Sequence, residues 1–502
     1  MSQSQSVIET PAFTGFSELR WSKRFQPFFL EPDGRVPDRL DGLELAQNDR
    51  DSWVVFVARD ALAPHRFRAH VEAQTLERHD VDVFYGDDLA FGEPPSRQYR
   101  LKPSFDLAQL VAQDYIATPL IVRGSALHKL GGLRIEMGDA CLYDLLLRAQ
   151  KIGLGVERIP QLLMARPGKR QETSLAARRA ALQAWIGSRP LEIAEGLTPT
   201  SLQLRRSFET FPPVTLVVPT CQAAAGSAQP FVVQLLDSLA ATDWPMDKLS
   251  VLIGDDSPHG QIFAGERWPF AVTRVPTPRP ADQPFNFAAK MNQLWRLATT
   301  EHLVLMNDDV KVRSPGWLKA LMTFALDRDV GGVGARLVFP DGTLQHAGVV
   351  GGLFGTAAHA WFGSPADLPT YQDWALIQRE WSSVTGAVFA TRRSVMSEVN
   401  GFDERLTLEF NDIDLCLRMR LLGYRIVYTP FAELMHREKA SRRDTLPAAE
   451  EVALFLNRWR DFLDNDPAYH PALSRDQPCP EPLYTAALNA PEPGSFPASA
   501  AS

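Results

Sequence analysis

The sequence predicts an α/β protein with a mixed, mostly parallel sheet flanked by helices, and a smaller related α/β unit before it. Three observations lead there. From Val214 onward, short apolar runs alternate with stretches of helical period, the order of a parallel sheet. Two of those runs are followed by adjacent carboxylates, Asp255-Asp256 and Asp308-Asp309. In a parallel sheet both pairs open on one edge, where open α/β sheets bind ligands. Finally, pieces of the later region recur in the same order within the first 170 residues.

In chain order, residues 1–12 are polar and expected to be loose, and 13–170 alternate strand-like and helix-like patterns. A linker over 171–210 carries an amphipathic helix, with Leu175, Leu182 and Ile186 on one face from Glu172 to Ile186, and then a polar connector. Phe211-Pro212-Pro213 favours extended backbone before the next unit, 211–465. In it, Val214 to Val218 reads as a buried strand, Phe231 to Ala240 as a helix and Ser250 to Ile253 as a strand. Ala288 to Ala298 follows as a helix and Leu303 to Met306 as a buried strand. Leu415, Met419 and Leu422 share a helical face that Gly423 closes, and Tyr424 to Tyr428 is strand-like. The Pro/Ala/Ser-rich tail, 466–502, is expected to be disordered.

The repeat pairs Val54 to Asp60 with Leu303 to Asp309, Thr118 to Arg123 with Gly386 to Arg392, and Asp144 to Arg148 with Asp414 to Arg418. The first copy lacks the opening strands, and its carboxylates are sparse. Arg59-Asp60 replaces Asp308-Asp309, Leu142 stands at the position of Asp412, and the counterpart of His436 falls near Ala165-Arg166-Pro167. This copy is expected not to catalyse.

At 502 residues with 45% hydrophobic content, the chain is folded and multidomain. A net charge of -8 argues against nucleic acid as a partner. The four cysteines, Cys141, Cys221, Cys416 and Cys479, show neither metal-ligand spacing nor a disulfide framework, which fits a reducing compartment. The N-terminus lacks a signal-peptide pattern, and no apolar run is long enough to span a bilayer. A cytoplasmic protein is expected, with peripheral contact at the inner face of a membrane left open.

The chemistry concentrates in a few places. Asp308-Asp309, at the end of a buried strand, suits a hard divalent cation, and such a cation suits a diphosphate. Glu409, Asp412 and Asp414 precede or open a helix. Capping explains one acid there and does not require three, so a surplus carboxylate facing a cleft could serve as a general base. His436 follows a strand in the same unit, and a ligand role is open to it; Lys439, Arg442 and Arg443 form a basic cluster beyond. Trp361, Trp374 and Trp381 read as packing rather than acceptor contacts.

Residues 214–442 resemble a family 2 inverting glycosyltransferase of the GT-A fold, near the bacterial rhamnosyltransferase-like enzymes of surface polysaccharide assembly. The resemblance rests on Val217-Val218-Pro219-Thr220, Pro284 to Asn292, Leu305 to Asp309, Pro340 to Gly348, Val384 to Ala387, Gly401 to Glu404 and Phe410 to Arg418. It implies that Pro219, Asp255, Asp256 and Asn286 line the nucleotide pocket. Asn307-Asp308-Asp309 takes the DxD position, with Asp308 toward the ribose or metal and Asp309 on a Mg²⁺ or Mn²⁺ that bridges the diphosphate. Asp412 becomes the catalytic base, and His436 helps hold the metal or phosphates. Two departures stand out: Asn307 replaces the first DxD acid, and the spacing around His436 is shifted. The implied partners are a nucleotide-diphosphate sugar donor and a glycan or lipid-linked acceptor. The alternative is an inactive binding or scaffold protein that kept the fold. A dinucleotide oxidoreductase is excluded, because no G-x-G-x-x-G follows Val214 to Val218.

Overall fold

The computed structural model describes residues 12–15, 19, 24–31, 52–91, 98–168, 172–224, 229–263, 265, 267–278, 284–437 and 447–484. The basic cluster at Lys439, Arg442 and Arg443 and the tail from 485 lie outside them. Two mixed sheets organise the chain.

The first sheet contains β1 (Phe13–Gly15), β2 (Phe25–Leu30), β3 (Trp53–Ala58), β4 (Leu62–Pro64), β5 (Val83–Phe91), β6 (Gln98–Arg100), β7 (Leu120–Arg123) and β8 (Val156–Pro167). A hairpin of β9 (Leu191–Glu195) and β10 (Leu202–Arg206) follows. The second sheet contains β11 (Val214–Thr220), β12 (Leu249–Asp255), β13 (Ala271–Pro276), β14 (His302–Met306), β15 (Val310–Val312), β16 (Val330–Val338) and β17 (Leu344–His346). A separate ribbon, β18 (Val349–Gly351) with β19 (Ala357–His359), precedes β20 (Arg379–Glu380), β21 (Val388–Arg392) and β22 (Arg425–His436), which return to the sheet.

The second sheet runs β13-β12-β11-β14-β21-β16-β22-β15, with β17 on β16 and β20 on β22. Its first four strands are mutually parallel and β16 runs parallel to β22, while β21 and β15 point the other way. The first sheet repeats this plan. Its order β2-β3-β7-β5-β8-β4, with β6 on β5, matches β11-β14-β21-β16-β22-β15 with β17 on β16, and each pairing keeps its sense. The match extends to irregularities. Pro160 in β8 and Pro430 in β22 lie beside equivalent register shifts, where a residue without an N–H costs the ladder little. One expectation is corrected: an opening strand, β2, is present in the first unit. Among the described residues β12, β13 and β20 lack a counterpart in the first sheet.

A second match is at the side chains. Arg418 Nε donates to Asp414 Oδ2 at 2.7 Å while its Nη1 caps the Val399 carbonyl at 2.5 Å. Arg148 Nε donates to Asp144 Oδ2 at 2.7 Å while its Nη1 caps the Leu130 carbonyl at 2.6 Å. Each copy thus braces the helix after β21 or β7 against the helix that follows it.

The two units share one core, continued through Leu202 and Leu204 of the hairpin. Leu204 exchanges two backbone bonds with the Gln378 side chain, at 2.8 and 3.0 Å. Glu380 N–H donates to Asp106 Oδ2 at 2.8 Å, and Leu101 N–H to the Tyr371 hydroxyl at 2.9 Å. Residues 466–484 correct the expectation of a disordered tail from 466. Tyr469 and Leu473 are buried, His470 Nε2 lies 2.8 Å from Asp87, and Tyr484 stacks on Tyr99. Pro and Ser dilute the apolar residues of this segment, so its composition hides that it packs. The linker likewise holds a β-hairpin where a polar connector was expected. Its helix, Leu175–Ile186, buries Arg178 and leaves Leu175 exposed.

Candidate active site

The site forms where β11, β12 and β14 end side by side. β11 stays in register with β14 only to Val217–Leu305, and with β12 on to Thr220–Asp255. The two central strands therefore part, and Pro219 sits beyond the β14 ladder, where its missing N–H is tolerated. Across the gap Thr220 Oγ1 donates to Asp308 Oδ2 at 2.6 Å. Burial pushes the Asp308 carboxyl up to about 6, and the Thr220 hydroxyl offsets part of that.

Asp255 and Asp256 differ. Asp255 is 1% exposed and takes bonds from Arg274 Nε at 2.7 Å, Gln222 Nε2 at 2.9 Å and Ser257 N–H at 2.9 Å. Its carboxylate ties the sheet edge together. Asp256 lies at the edge, where Lys290 Nζ at 2.7 Å and Thr277 Oγ1 at 3.0 Å both bond to Oδ1. Lys290 also donates to the Thr220 carbonyl at 3.0 Å and reduces the cost of the Asp308 charge. Asn286 is held at both ends. Its Oδ1 caps the Phe287–Leu297 helix at Ala289 N–H, 2.8 Å, and its Nδ2 donates to the Glu404 carbonyl at 2.8 Å. Both ends of its amide serve the fold.

Beyond β14 the chain turns into β15, which pairs with the end of β22 so that Val310 faces His436. His436 is thus the last residue of a twelve-residue strand rather than a residue after one. Its Nε2 lies 3.1 Å from Asp309 Oδ1 and 3.4 Å from Asn307 Nδ2. The ring is 4% exposed, and its Nδ1 is buried with no hydrogen-bond partner. A carboxylate and an imidazole suit a divalent cation that takes its remaining ligands from phosphates and water. No group of three or more such side chains able to hold a metal by themselves occurs among the described residues.

Asp412 reaches the same place from another direction. Phe410, in a left-handed conformation with φ 59°, turns the chain into the Asn411–Leu421 helix. Asp412 Oδ2 accepts from Gly386 N–H at 2.7 Å and Oδ1 from Ile413 N–H at 2.8 Å. A side chain at 386 would press on Asp412, since a Cβ there falls 3.2 Å from Asp412 Cβ. The next residue, Ala387, accepts from Asn307 N–H at 3.0 Å. Two consecutive residues therefore tie the end of β14 to Asp412. Asp414 is fully buried among Arg418, Arg458 at 2.5 Å and Trp459 at 2.9 Å, so it is structural. The loop ahead is pinned by buried Glu451, which accepts from Thr407 N–H at 2.8 Å and Glu409 N–H at 2.9 Å.

In the first unit the equivalent position is filled by a cation of the chain itself. Asp60 follows β3 as Asp309 follows β14, and Arg166 in β8 takes the place of His436 in β22. Arg166 Nη2 lies 3.6 Å from Asp60 Oδ2.

Sequence reasoning gave no individual role to Thr220, Lys290, His346 or His359. The His346 and His359 Nδ1 atoms meet at 3.0 Å, and the charges of both Asp412 and His436 act on His359. Trp374 and Trp381, edge to face with each other, each have a ring centre 3.9 Å from the Arg379 guanidinium carbon, and Trp361 is buried beside Trp381. All three indoles are packing. All four cysteines are free thiols, and no helix among the described residues is long and apolar enough to cross a membrane.

Residues 212–459 match the family described as glycosyltransferase-like family 2. The chain is 33% identical over 449 residues to the O-antigen biosynthesis protein RfbC of Myxococcus xanthus, covering 85% of this chain and 34% of that protein. It is 28% identical over 242 residues to the N-acetylglucosaminyl-diphospho-decaprenol L-rhamnosyltransferase of Mycobacterium tuberculosis, covering 44% of this chain and 76% of that protein. Among solved structures it is similar to the mannosyltransferase PcManGT from Pyrobaculum calidifontis in complex with GDP-Man and Mn2+, at 19% identity and a TM-score of 0.34, over 56% of this chain and 74% of that one. The chain spans about a third of the length of the first of these relatives.

Proposed function

We propose that this chain, whose residues 212–459 match the family described as glycosyltransferase-like family 2, moves a sugar from a nucleotide-diphosphate donor to a hydroxyl of a glycan or lipid-linked acceptor in cell-surface polysaccharide synthesis, with inversion. The observation that carries this reading is the bridge through Gly386 and Ala387, which sets Asp412 beside the Asn307–Asp309 turn. The relatives' names, O-antigen biosynthesis and rhamnosyl transfer, support the pathway and the sugar class.

The residues divide the work. Asp412, held at both oxygens by backbone N–H groups, takes the proton from the acceptor hydroxyl as the new bond forms. The two N–H groups fix its orientation and leave its outer lone pairs to the acceptor. Asp256 and Lys290 stand at the edge on the donor's nucleotide side, and Asp308 is half-buried next to Thr220 between them and Asp309. Asp309 and His436 would hold Mg²⁺ or Mn²⁺. That cation, when bound, neutralises charge on the leaving diphosphate. Attack from the Asp412 side, opposite the leaving group, inverts the anomeric carbon.

The test is a thermal-shift and turnover screen against nucleotide sugars, with and without Mn2+. Donor-specific stabilisation that needs the metal, followed by release of nucleoside diphosphate, supports the reading. A folded chain that binds nucleotide sugars but transfers from none of them favours the scaffold alternative.

A further inference from the structure

The β18–β19 ribbon stands outside both sheets, and its residues build a second wall of the site. Val349 pairs directly with His359, so the two side chains share one face of the ribbon. Val349 on that face is buried against Ile413 and Leu417 of the helix that carries Asp412, with Ala357 packed alongside. His359 is therefore turned toward the start of that helix, and the Asp412 charge acts on it. The ribbon is held from behind: Gly351 N–H donates to Asp466 at 2.8 Å, Phe354 N–H to the Arg475 carbonyl at 2.8 Å and Trp361 N–H to the Pro478 carbonyl at 2.9 Å.

The hydrogen bonds assign the protons on the two imidazoles. Thr385 N–H donates to His346 Nε2 at 3.4 Å, so a neutral His346 carries its proton on Nδ1. That proton points at His359 Nδ1, 3.0 Å away, which must then accept. His359 consequently keeps its proton on Nε2, and a hydrogen bond with the Gln345 backbone also acts on this ring. Burial keeps both rings neutral by lowering their affinity for a second proton.

The ring contacts continue outward. Phe362 lies 6.1 Å from His359 and 5.5 Å from Phe339, at 60° and 88° between planes. Braced on these two sides, its ring is still 45% exposed. Trp361 just before it has φ 54°, a costly conformation that the surrounding contacts hold in place.

We propose that Phe362 and His359 form the acceptor-sugar subsite: the open surface of the Phe362 ring carries the apolar face of a pyranose, and His359 Nε2–H donates to an oxygen of that sugar beside Asp412. This rests on the transferase reading above. The aromatic surface selects a ring with axial C–H groups, and the histidine sets which hydroxyl the base meets. Phe362 binds substrate, and His359 is a positioning residue acting beside the base.

The test uses the full chain with its nucleotide-sugar donor and a panel of alkyl pyranosides as acceptor surrogates, followed by release of nucleoside diphosphate. In Phe362→Ala the pyranoside KM rises at least about tenfold while the donor KM stays within about twofold, and Phe362→Tyr restores it. His359→Ala lowers kcat for the pyranoside and scatters the linkage of the product, and His359→Asn, which keeps a donor, restores part of both. An unchanged pyranoside KM in Phe362→Ala, with its melting temperature intact, overturns the proposal. So does a wild type that turns over its donor but is stimulated by no pyranoside. A wild type that turns over no nucleotide sugar sinks the transferase reading instead, so the two failures are distinguishable.

Discussion

Arg166 faces Asp60 at 3.6 Å in the first unit as His436 faces Asp309 at 3.1 Å in the second. The topology places these four residues at equivalent points of two copies of one sheet plan. In the first copy a fixed guanidinium neutralises the carboxylate. The guanidinium stands where the second unit has His436, and Leu142 stands at the position of Asp412.

Arg166→Ala is therefore expected to leave transfer within about twofold of the wild type, and to cost about 1 kcal/mol because Asp60 is partly solvated. Denaturant unfolding and steady-state turnover check this. A loss of transfer without a loss of stability would give the first copy a catalytic part.

Asp412→Asn keeps the shape but only one of the two acceptors that Gly386 and Ile413 N–H use, and it takes up no proton. Transfer is expected to fall by roughly 10²–10⁴-fold, with donor affinity unchanged in calorimetry. Turnover near the wild-type value would remove Asp412 as the base.

Asp309→Ala deletes the carboxylate beside His436. Its donor binding is expected to lose its dependence on Mn2+, read as a melting temperature with nucleotide sugar that no longer rises on adding the metal. A retained metal response would move the cation elsewhere.

A chain starting at Ser207 removes the partners of Glu380, Tyr371, His470 and Tyr484 and exposes their faces. Its melting temperature is expected to fall by at least about 10 °C, or the protein to aggregate on expression. Full stability and full activity would show the first copy to be dispensable.

Asp106 gives a pH dependence with a definite sign. Burial raises its carboxyl to about 7, and the Glu380 charge adds to the rise. The native state then holds this proton more tightly than the unfolded chain does. Asp106 is least unfavourable below the usual carboxylate range, and its contribution to stability falls as pH rises through about 7. The wild-type melting temperature should drop between pH 5 and pH 8 more steeply than that of Asp106→Asn, and scanning calorimetry of both across this range decides it.

What could be read from the chain followed the range of the forces involved. Val214 to Thr220, the Phe287–Leu297 helix and the Asn411–Leu421 helix announce themselves through local period and caps. The repeat was legible because the Asp–Arg brace recurs at one spacing in each copy. Carboxylates could be found by their strand ends, but not sorted. Only the distant Arg274 and Lys290 distinguish buried Asp255 from edge Asp256. No role could be read for His346 and His359 for the same reason: their meeting depends on a ribbon that β-strand patterns of three residues do not reveal. Residues 466–484 pack through isolated rings in a proline-rich stretch, which composition alone reads as loose.

The neighbouring residues Gly386 and Ala387 have a mechanical meaning together. The Asn307–Asp309 turn and the Asp412 carboxylate hang from consecutive residues of one backbone, so neither can shift without dragging the other. Adapting such a centre to a different pair of substrates cannot proceed by sliding this junction. Change must come from the walls around it, and specificity is expected to drift there while the junction stays still.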